Sequence, residues 1–289
     1  MNEKTIYALG FFDGVHLGHQ ALLTACRELA AKQNCQSGVV TFTSHPDALV
    51  WGASPILLNT ADDRARLLYA YGVNVVREIP FDKALMSTHW SDFLEGLIDK
   101  GAAGFVCGED FRFGSKGEGT AQMLAEFCHQ RQLPYAIVPE QAMDGQRISS
   151  TRIRNLLEQG QLKEATVLLG HPHFLTGIVQ TGKQLGRTIG FPTANLTFPE
   201  GVIVPKFGVY ACSVSVNGKV YTAVTNVGIR PTVEGEGITA EAHILDYTSD
   251  LYGKTITIAF YEFLRPEKKF DSLEELKAQI AEDIAQVRL

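Results

Sequence analysis

Hydrophobic periodicity changes character once along this chain, near Gly170-His171-Pro172, and that change constrains the fold more than any other feature. Before it, Thr5 to Phe11, Gly38 to Phe42, Val73 to Ile79, Gly104 to Cys107 and Tyr135 to Val138 read as short strands. Between them, Leu22 to Ala30, Arg64 to Tyr71, Phe93 to Ile98 and Thr120 to Cys128 carry apolar residues at helical spacing. Alternation of strand and helix predicts a parallel sheet wrapped by helices, with ligands at the carboxyl ends of the strands. After the change, Val209 to Val216 and Lys219 to Thr225 alternate about Asn217-Gly218, a strong hairpin signal. Thr239 to Asp246 and Thr255 to Phe263 also read as strands. Ser272 with Glu275 forms a capping box for a helix whose apolar face is Leu276, Ile280, Ile284 and Val287. This half predicts an antiparallel β-barrel with a C-terminal helix. The expected domains are residues 1–171 and 172–289.

Composition narrows the function classes. A chain of 289 residues with 45% hydrophobic and 20% charged residues can build two ordinary cores. The net charge of -6 argues against a general nucleic-acid binder. Cys26, Cys35, Cys107, Cys128 and Cys212 make no CxxC pair, which points away from a zinc site or disulfide framework and towards a reducing compartment. The Met1-Asn2-Glu3-Lys4 start has no apolar run behind it, and no stretch approaches the ~20 apolar residues of a membrane span. The expectation is a cytoplasmic protein with no membrane or nucleic-acid partner.

The first strand runs into Gly10-Phe11-Phe12-Asp13-Gly14-Val15-His16-Leu17-Gly18-His19-Gln20. Glycines at a strand-to-helix junction expose backbone amides and a helix N-terminus, both suited to phosphate. His16 and His19 fall on one face of the first helical turn, where two imidazoles can donate to a polyphosphate, and Gly18 between them would admit it closely. A single histidine there reads as a cap or surface group. The His-x-Gly-His spacing after a strand points to nucleotide chemistry. Ile148-Ser149-Ser150-Thr151-Arg152-Ile153-Arg154 supplies hydroxyls for capping and a guanidinium fork for phosphate oxygens.

These segments resemble the HxGH nucleotidylyltransferases, which implies a Rossmann-like α/β domain. Within that superfamily they look like the FAD synthetase module of bifunctional riboflavin kinase/FAD synthetases. The resemblance implies ATP contacts at Gly10, Phe11, Asp13, Gly14, His16, His19, Ser149, Ser150, Thr151 and Arg154, with His16, His19 and Arg154 catalytic. Gly108-Glu109-Asp110-Phe111-Arg112-Phe113-Gly114 and Thr41-Phe42-Thr43-Ser44-His45-Pro46 resemble the flavin-side motifs, implying Phe42, His45, Pro46, Asp110 and Phe111. Thr43-Ser44 stands where the family often has Asp-Pro. In adenylyl transfer an anionic FMN phosphate attacks the α-phosphorus of ATP, so no general base is required and catalysis is positioning and charge stabilisation.

In the second half, Gly177-x4-Gly182-Lys183 has the glycine spacing of a P-loop but continues with Gln184 and lies among strands, so it is not one. Gly186-Arg187-Thr188-Ile189-Gly190-Phe191-Pro192-Thr193-Ala194-Asn195 resembles the GxPTAN signature of riboflavin kinases. That resemblance implies magnesium at Thr193 and Asn195. It also implies ATP contacts at Gly182, Lys183, Gly186, Phe191, Pro192, Thr193 and Asn195. Glu241 matches the family's catalytic glutamate. A hydroxyl acceptor needs a base or an orienting acceptor, and a lone strand glutamate would otherwise be solvated surface. The implied substrates are riboflavin, FMN and ATP, with FAD as final product and Mg2+ as cofactor; no protein partner is implied. Other readings stay open on the residues alone: a nucleotidylyltransferase for another acceptor, a flavin- or nucleotide-binding module, or a chain with one silent module.

Overall fold

The computed structural model describes residues 4–181, 186, 189–232 and 235–287. The chain forms two compact units, Met1–Ser150 and Thr151–Leu289.

In the first unit, β1 (Thr5–Leu9) leads through a short turn into α1 (Leu17–Lys32) and β2 (Gln36–Phe42). Helices α2 (Pro46–Val50) and α3 (Ala61–Ala70), β3 (Val75–Ile79), α4 (Lys83–Met86), α5 (Trp90–Ile98) and β4 (Ala102–Gly108) follow. A small hairpin of β5 (Arg112–Phe113) and β6 (Gly119–Thr120) precedes α6 (Ala121–Gln130) and β7 (Tyr135–Val138), and a second, β8 (Ala142–Met143) with β9 (Gln146–Arg147), follows. The main sheet is five-stranded in the order β3-β2-β1-β4-β7, and every pair in it is parallel. The strand order reverses between β1 and β4, so ligands are expected beyond the carboxyl end of β1. Both faces are covered, one cluster gathering Leu23, Cys26, Val39 and Leu68 and the other Leu94, Phe105, Leu124 and Phe127. Strands buried on both faces read as continuous apolar runs, which is why Ile6 to Leu9 and Val39 to Val40 were visible in the sequence.

The second unit holds α7 (Ser150–Gln159) from Thr151 onward and α8 (Leu162–Leu169). Its six-stranded antiparallel sheet has the order β10 (His173–Ile178), β15 (Thr255–Arg265), β12 (Gly208–Val216), β13 (Lys219–Thr232), β14 (Gly235–Ile244), β11 (Ala194–Thr197). The two ends meet where Gln180, just past β10, bridges Asn195 of β11, its amide donating to the Asn195 carbonyl at 2.9 Å. Asn217 and Gly218 both take positive φ, 49° and 78°, the turn expected of Asn-Gly between β12 and β13. Inside lie Tyr210, Phe260, Phe198 and His173, with Phe260 edge-on to Tyr210 at 5.5 Å and parallel to His173 at 6.0 Å. The closing helix, Leu273–Gln286, is capped by Ser272 and sets Ile284 beside Val209, Ala211 and Val224. Arg265 at the end of β15 reaches the buried Asp283 of this helix with two hydrogen bonds of 2.8 and 2.7 Å.

Candidate active sites

The chain leaves β1 through a strained loop. Phe12 and Val15 hold φ of 61° and 42°, and Gly14 of 74°. Left-handed backbone at a β-branched residue is costly and persists only where packing enforces it. Here Phe12 and Val15 are completely buried. Asp13 adds two ties: its Oδ1 accepts the Leu58 amide at 2.8 Å, and its carbonyl accepts the Ser150 hydroxyl at 3.1 Å. The second tie brings Ser150, the last residue of the first unit, to the loop after β1, joining two segments the sequence holds far apart.

His16 caps α1. Its Nδ1 accepts the His19 amide at 3.4 Å, so the neutral ring carries its proton on Nε2. The His16 and His19 rings stack at 3.8 Å with an interplanar angle of 17°. Burial, with help from the Arg147 charge, holds His16 down at about 4. Burial first, then His16 and Arg64, pushes His19 well below 6.5. Both rings are therefore neutral at pH 7 and act as hydrogen-bond donors rather than cations. The buried His19 Nδ1 has no hydrogen-bond partner among the described residues. Gly18 is explained differently from the sequence expectation: a Cβ there would crowd the His16 ring at 3.1 Å, so the glycine makes room for the stacked imidazole.

Arg154, one turn into α7, donates to the Thr151 hydroxyl at 3.1 Å. Among the residues expected on the flavin side, His45 caps α2, accepting the Asp47 amide at 3.2 Å, with Pro46 as the first helical residue. Its ring stands edge-on to Phe11 at 4.6 Å. Phe42 ends β2 and meets Phe81 edge-on at 5.3 Å. Phe111 stacks on Phe113 at 5.5 Å, and exposed Asp110 pairs with Arg147 of β9. The Arg147 charge that reaches His16 thus stands beside Asp110. Sequence reasoning passed over Arg147 because it sits one residue ahead of the recognised run.

The second constellation lies on the barrel. Asn195, Glu241 and Asn226 are successive partners across β11, β14 and β13. Their neighbours Ala194, Ala240, Ala242 and Val227 are buried, so the three polar side chains share the opposite face. Asn226 Nδ2 donates to Glu267 Oε1 at 3.0 Å. A Cβ on Gly228 would overlap that same carboxylate, so the glycine is what lets Glu267 lie over β13. His243 Nδ1 donates to the Pro192 carbonyl at 2.9 Å and its ring meets Phe191 edge-on at 5.4 Å, holding the backbone just before Thr193. Asn195 Nδ2 turns to the Thr193 carbonyl at 3.4 Å, which directs Oδ1 away from it. Gly186 accepts the Phe191 amide at 2.8 Å, and a Cβ on it would strike the Phe191 carbonyl. Gly182 and Lys183 lie outside the described residues. Thr193 and Asn195 present neutral oxygens, a set suited to a magnesium ion carried mainly by phosphates.

Comparison with known proteins identifies two family domains along the chain. The family model for FAD synthetase matches residues 1–152 and that for riboflavin kinase residues 169–289. A bifunctional riboflavin kinase/FMN adenylyltransferase of Listeria monocytogenes is 36% identical over 282 residues, 96% of this chain and 90% of that protein. The Escherichia coli protein of the same description is 37% identical over 285 residues, 97% of this chain and 91% of its own. A solved structure described as a macrolide-efflux protein from Streptococcus pneumoniae has a TM-score of 0.89 at 32% identity, covering 100% of this chain and 95% of that one. The efflux description belongs to that protein. No described helix of the present chain is long and apolar enough to cross a membrane.

Proposed function

The chain belongs to the family of bifunctional riboflavin kinase/FMN adenylyltransferases, and on that premise we infer that it makes FAD from riboflavin in two ATP-dependent steps. The barrel unit phosphorylates riboflavin to FMN, and the α/β unit adenylylates FMN to FAD with release of pyrophosphate.

For the kinase step, Glu241 orients the ribityl hydroxyl and takes its proton as the oxygen attacks the γ-phosphorus of ATP, the bond to the β–γ bridging oxygen breaks and ADP leaves. Thr193 and Asn195 hold the phosphate end, and Phe191 and Pro192 set their backbone, braced by His243. Magnesium would be held at Thr193 and Asn195, where it neutralises charge on the phosphates. The observation that carries this assignment is the row Asn195-Glu241-Asn226, which puts a carboxylate beside the phosphate-side asparagine. Gly182, Lys183 and Gly186 are assigned to the ATP site from their motif.

For the adenylyl step, the FMN phosphate oxygen attacks the α-phosphorus and the bond to pyrophosphate breaks, with no proton to remove. Neutral His16 and His19 donate to the polyphosphate, and the amides at the start of α1 add their dipole. Ser150, tied to the Asp13 carbonyl, joins them, and Ser149, Thr151 and Arg154 are assigned to the polyphosphate from their motif. Gly10, Phe11, Asp13 and Gly14 shape the nucleotide side, while Phe42, His45, Pro46, Asp110 and Phe111 form the flavin side. With Arg154 assigned to the adenylyltransferase from its motif, the module bounds are read as 1–171 and 172–289. A cytoplasmic location fits five free cysteines.

The test is to incubate the protein with ATP, magnesium and either riboflavin or FMN, and to separate the flavins chromatographically. FMN and then FAD from riboflavin, with FAD from FMN, is the expected result. No FAD from FMN would leave the first unit without the assigned activity.

A further inference from the structure

Arg64 belongs to no motif, yet it is among the most completely buried side chains of the first unit, 1% exposed. It sits one turn into α3, behind an N-cap in which Thr60 accepts the Asp63 amide at 3.1 Å. Its guanidinium makes two contacts at the ligand end of the sheet. One nitrogen donates to the Phe42 carbonyl at 2.7 Å, and the central carbon lies 4.2 Å from the centre of the Phe11 ring. Phe11 in turn meets His45 edge-on, and its carbonyl accepts the Thr41 hydroxyl at 2.9 Å. A single planar cation therefore ties the loop after β1 to the end of β2. Its Nε is buried without a hydrogen-bond partner among the described residues. Burying a guanidinium while leaving a donor unsatisfied is expensive, and a purely structural strut would be better served by an apolar side chain. The charges of Asp13 and Glu78 act in its favour, against burial.

We propose that Arg64 is the positioning residue of the flavin side of the adenylyltransferase. The Phe11 backbone belongs to the nucleotide side, whereas its ring, held by the guanidinium, sets the His45 imidazole for the isoalloxazine of FMN. Arginine is required because a plane is required: a lysine supplies charge without a face to stack on the ring. This inference rests on the assignment of Phe42 and His45 to the flavin.

The experiment uses the full chain carrying Arg64→Met, which keeps volume and removes charge, beside Arg64→Lys and His45→Ala. FAD formation is measured as a function of FMN and of ATP separately, FMN binding by quenching of flavin fluorescence, and riboflavin phosphorylation by the same preparations. Arg64→Met is expected to raise the KM and Kd for FMN about ten-fold or more, with KM for ATP and the kinase rate within about two-fold. Arg64→Lys moves in the same direction and carries the test where Arg64→Met does not fold. Combining Arg64→Met with His45→Ala adds little to the larger single effect, because both act through one contact chain. Equal loss for ATP and FMN, or no change in either, overturns the proposal. A raised KM for FMN in His45→Ala beside a normal one in both Arg64 variants overturns it while sparing the flavin-side assignment. A normal KM in His45→Ala overturns that assignment and the proposal with it.

Discussion

Glu241 and Asn195 are direct partners on neighbouring antiparallel strands, and both side chains stand on the face opposite the buried Ala194 and Ala240. Glu241→Gln keeps the shape of this pair and removes the proton acceptor. Riboflavin phosphorylation should fall by about 10²-fold or more, while FAD formation from FMN is unchanged. His19→Ala should do the reverse, with about 10²-fold loss of FAD formation and a normal kinase rate. Product analysis on both variants decides the matter: parallel loss of both steps would contradict two separate sites.

Gly228 carries no chemistry of its own, yet it determines where Glu267 lies. Gly228→Ala should displace the Glu267 carboxylate, release Asn226 from its 3.0 Å bond, and slow the kinase about ten-fold. Steady-state rates for both steps test this, and a kinase rate equal to that of the unaltered chain would show that Asn226 does not depend on Glu267.

Acid should destabilise both units through histidines buried in the neutral form. Burial is the first cause in all three: His16 is held at about 4, His173 at about 3, and His19 well below the ordinary 6.5. The unfolded chain takes up these protons near pH 6.5 and the folded chain only near its lower values. Stability is thus fully present above pH 6.5 and is lost as pH falls towards 4. His16 alone corresponds to about 3 kcal/mol over that window. Urea midpoints at pH 7 and pH 5 should differ accordingly, and coincident midpoints would mean the rings are not held neutral. For the same reason, the rate of adenylyl transfer should show no histidine limb near pH 6.5.

Asp283 is buried beneath Arg265, and Gln279 adds a third hydrogen bond at 3.2 Å. Asp283→Ala would leave a guanidinium largely desolvated and unpaired, at a cost of about 3–5 kcal/mol. Thermal unfolding and limited proteolysis of the closing helix would report it. A loss below about 1 kcal/mol would place the pair with weak solvent-exposed ones.

Local signals carried much of this far. The apolar runs of β1 and β2, the Asn217-Gly218 turn and the Ser272 cap depend on neighbours in the chain, so they were legible. The strand at Ala194–Thr197 was not, because the motif Phe191 to Asn195 runs into it and masks its alternation. Helix α8 also escaped, being only two turns long. Register is the larger omission: nothing in the chain announces that Asn195, Glu241 and Asn226 form one row, since strand pairing is settled by packing at long range. Arg64 is a similar case. Within Asp62-Asp63-Arg64-Ala65-Arg66 it has the look of a solvated helix face, and only the tertiary structure reveals its burial under Phe11.

The bridge between Gln180 and Asn195 gives the barrel a clasp, and the asparagine whose backbone fastens it is the one proposed above to meet the phosphates. A nucleotide that engages Asn195 therefore also latches the cylinder. Occupancy becomes readable as mechanics: the Gln180 amide, reporting on whether the clasp is open, should exchange with solvent more slowly when magnesium and ATP are present.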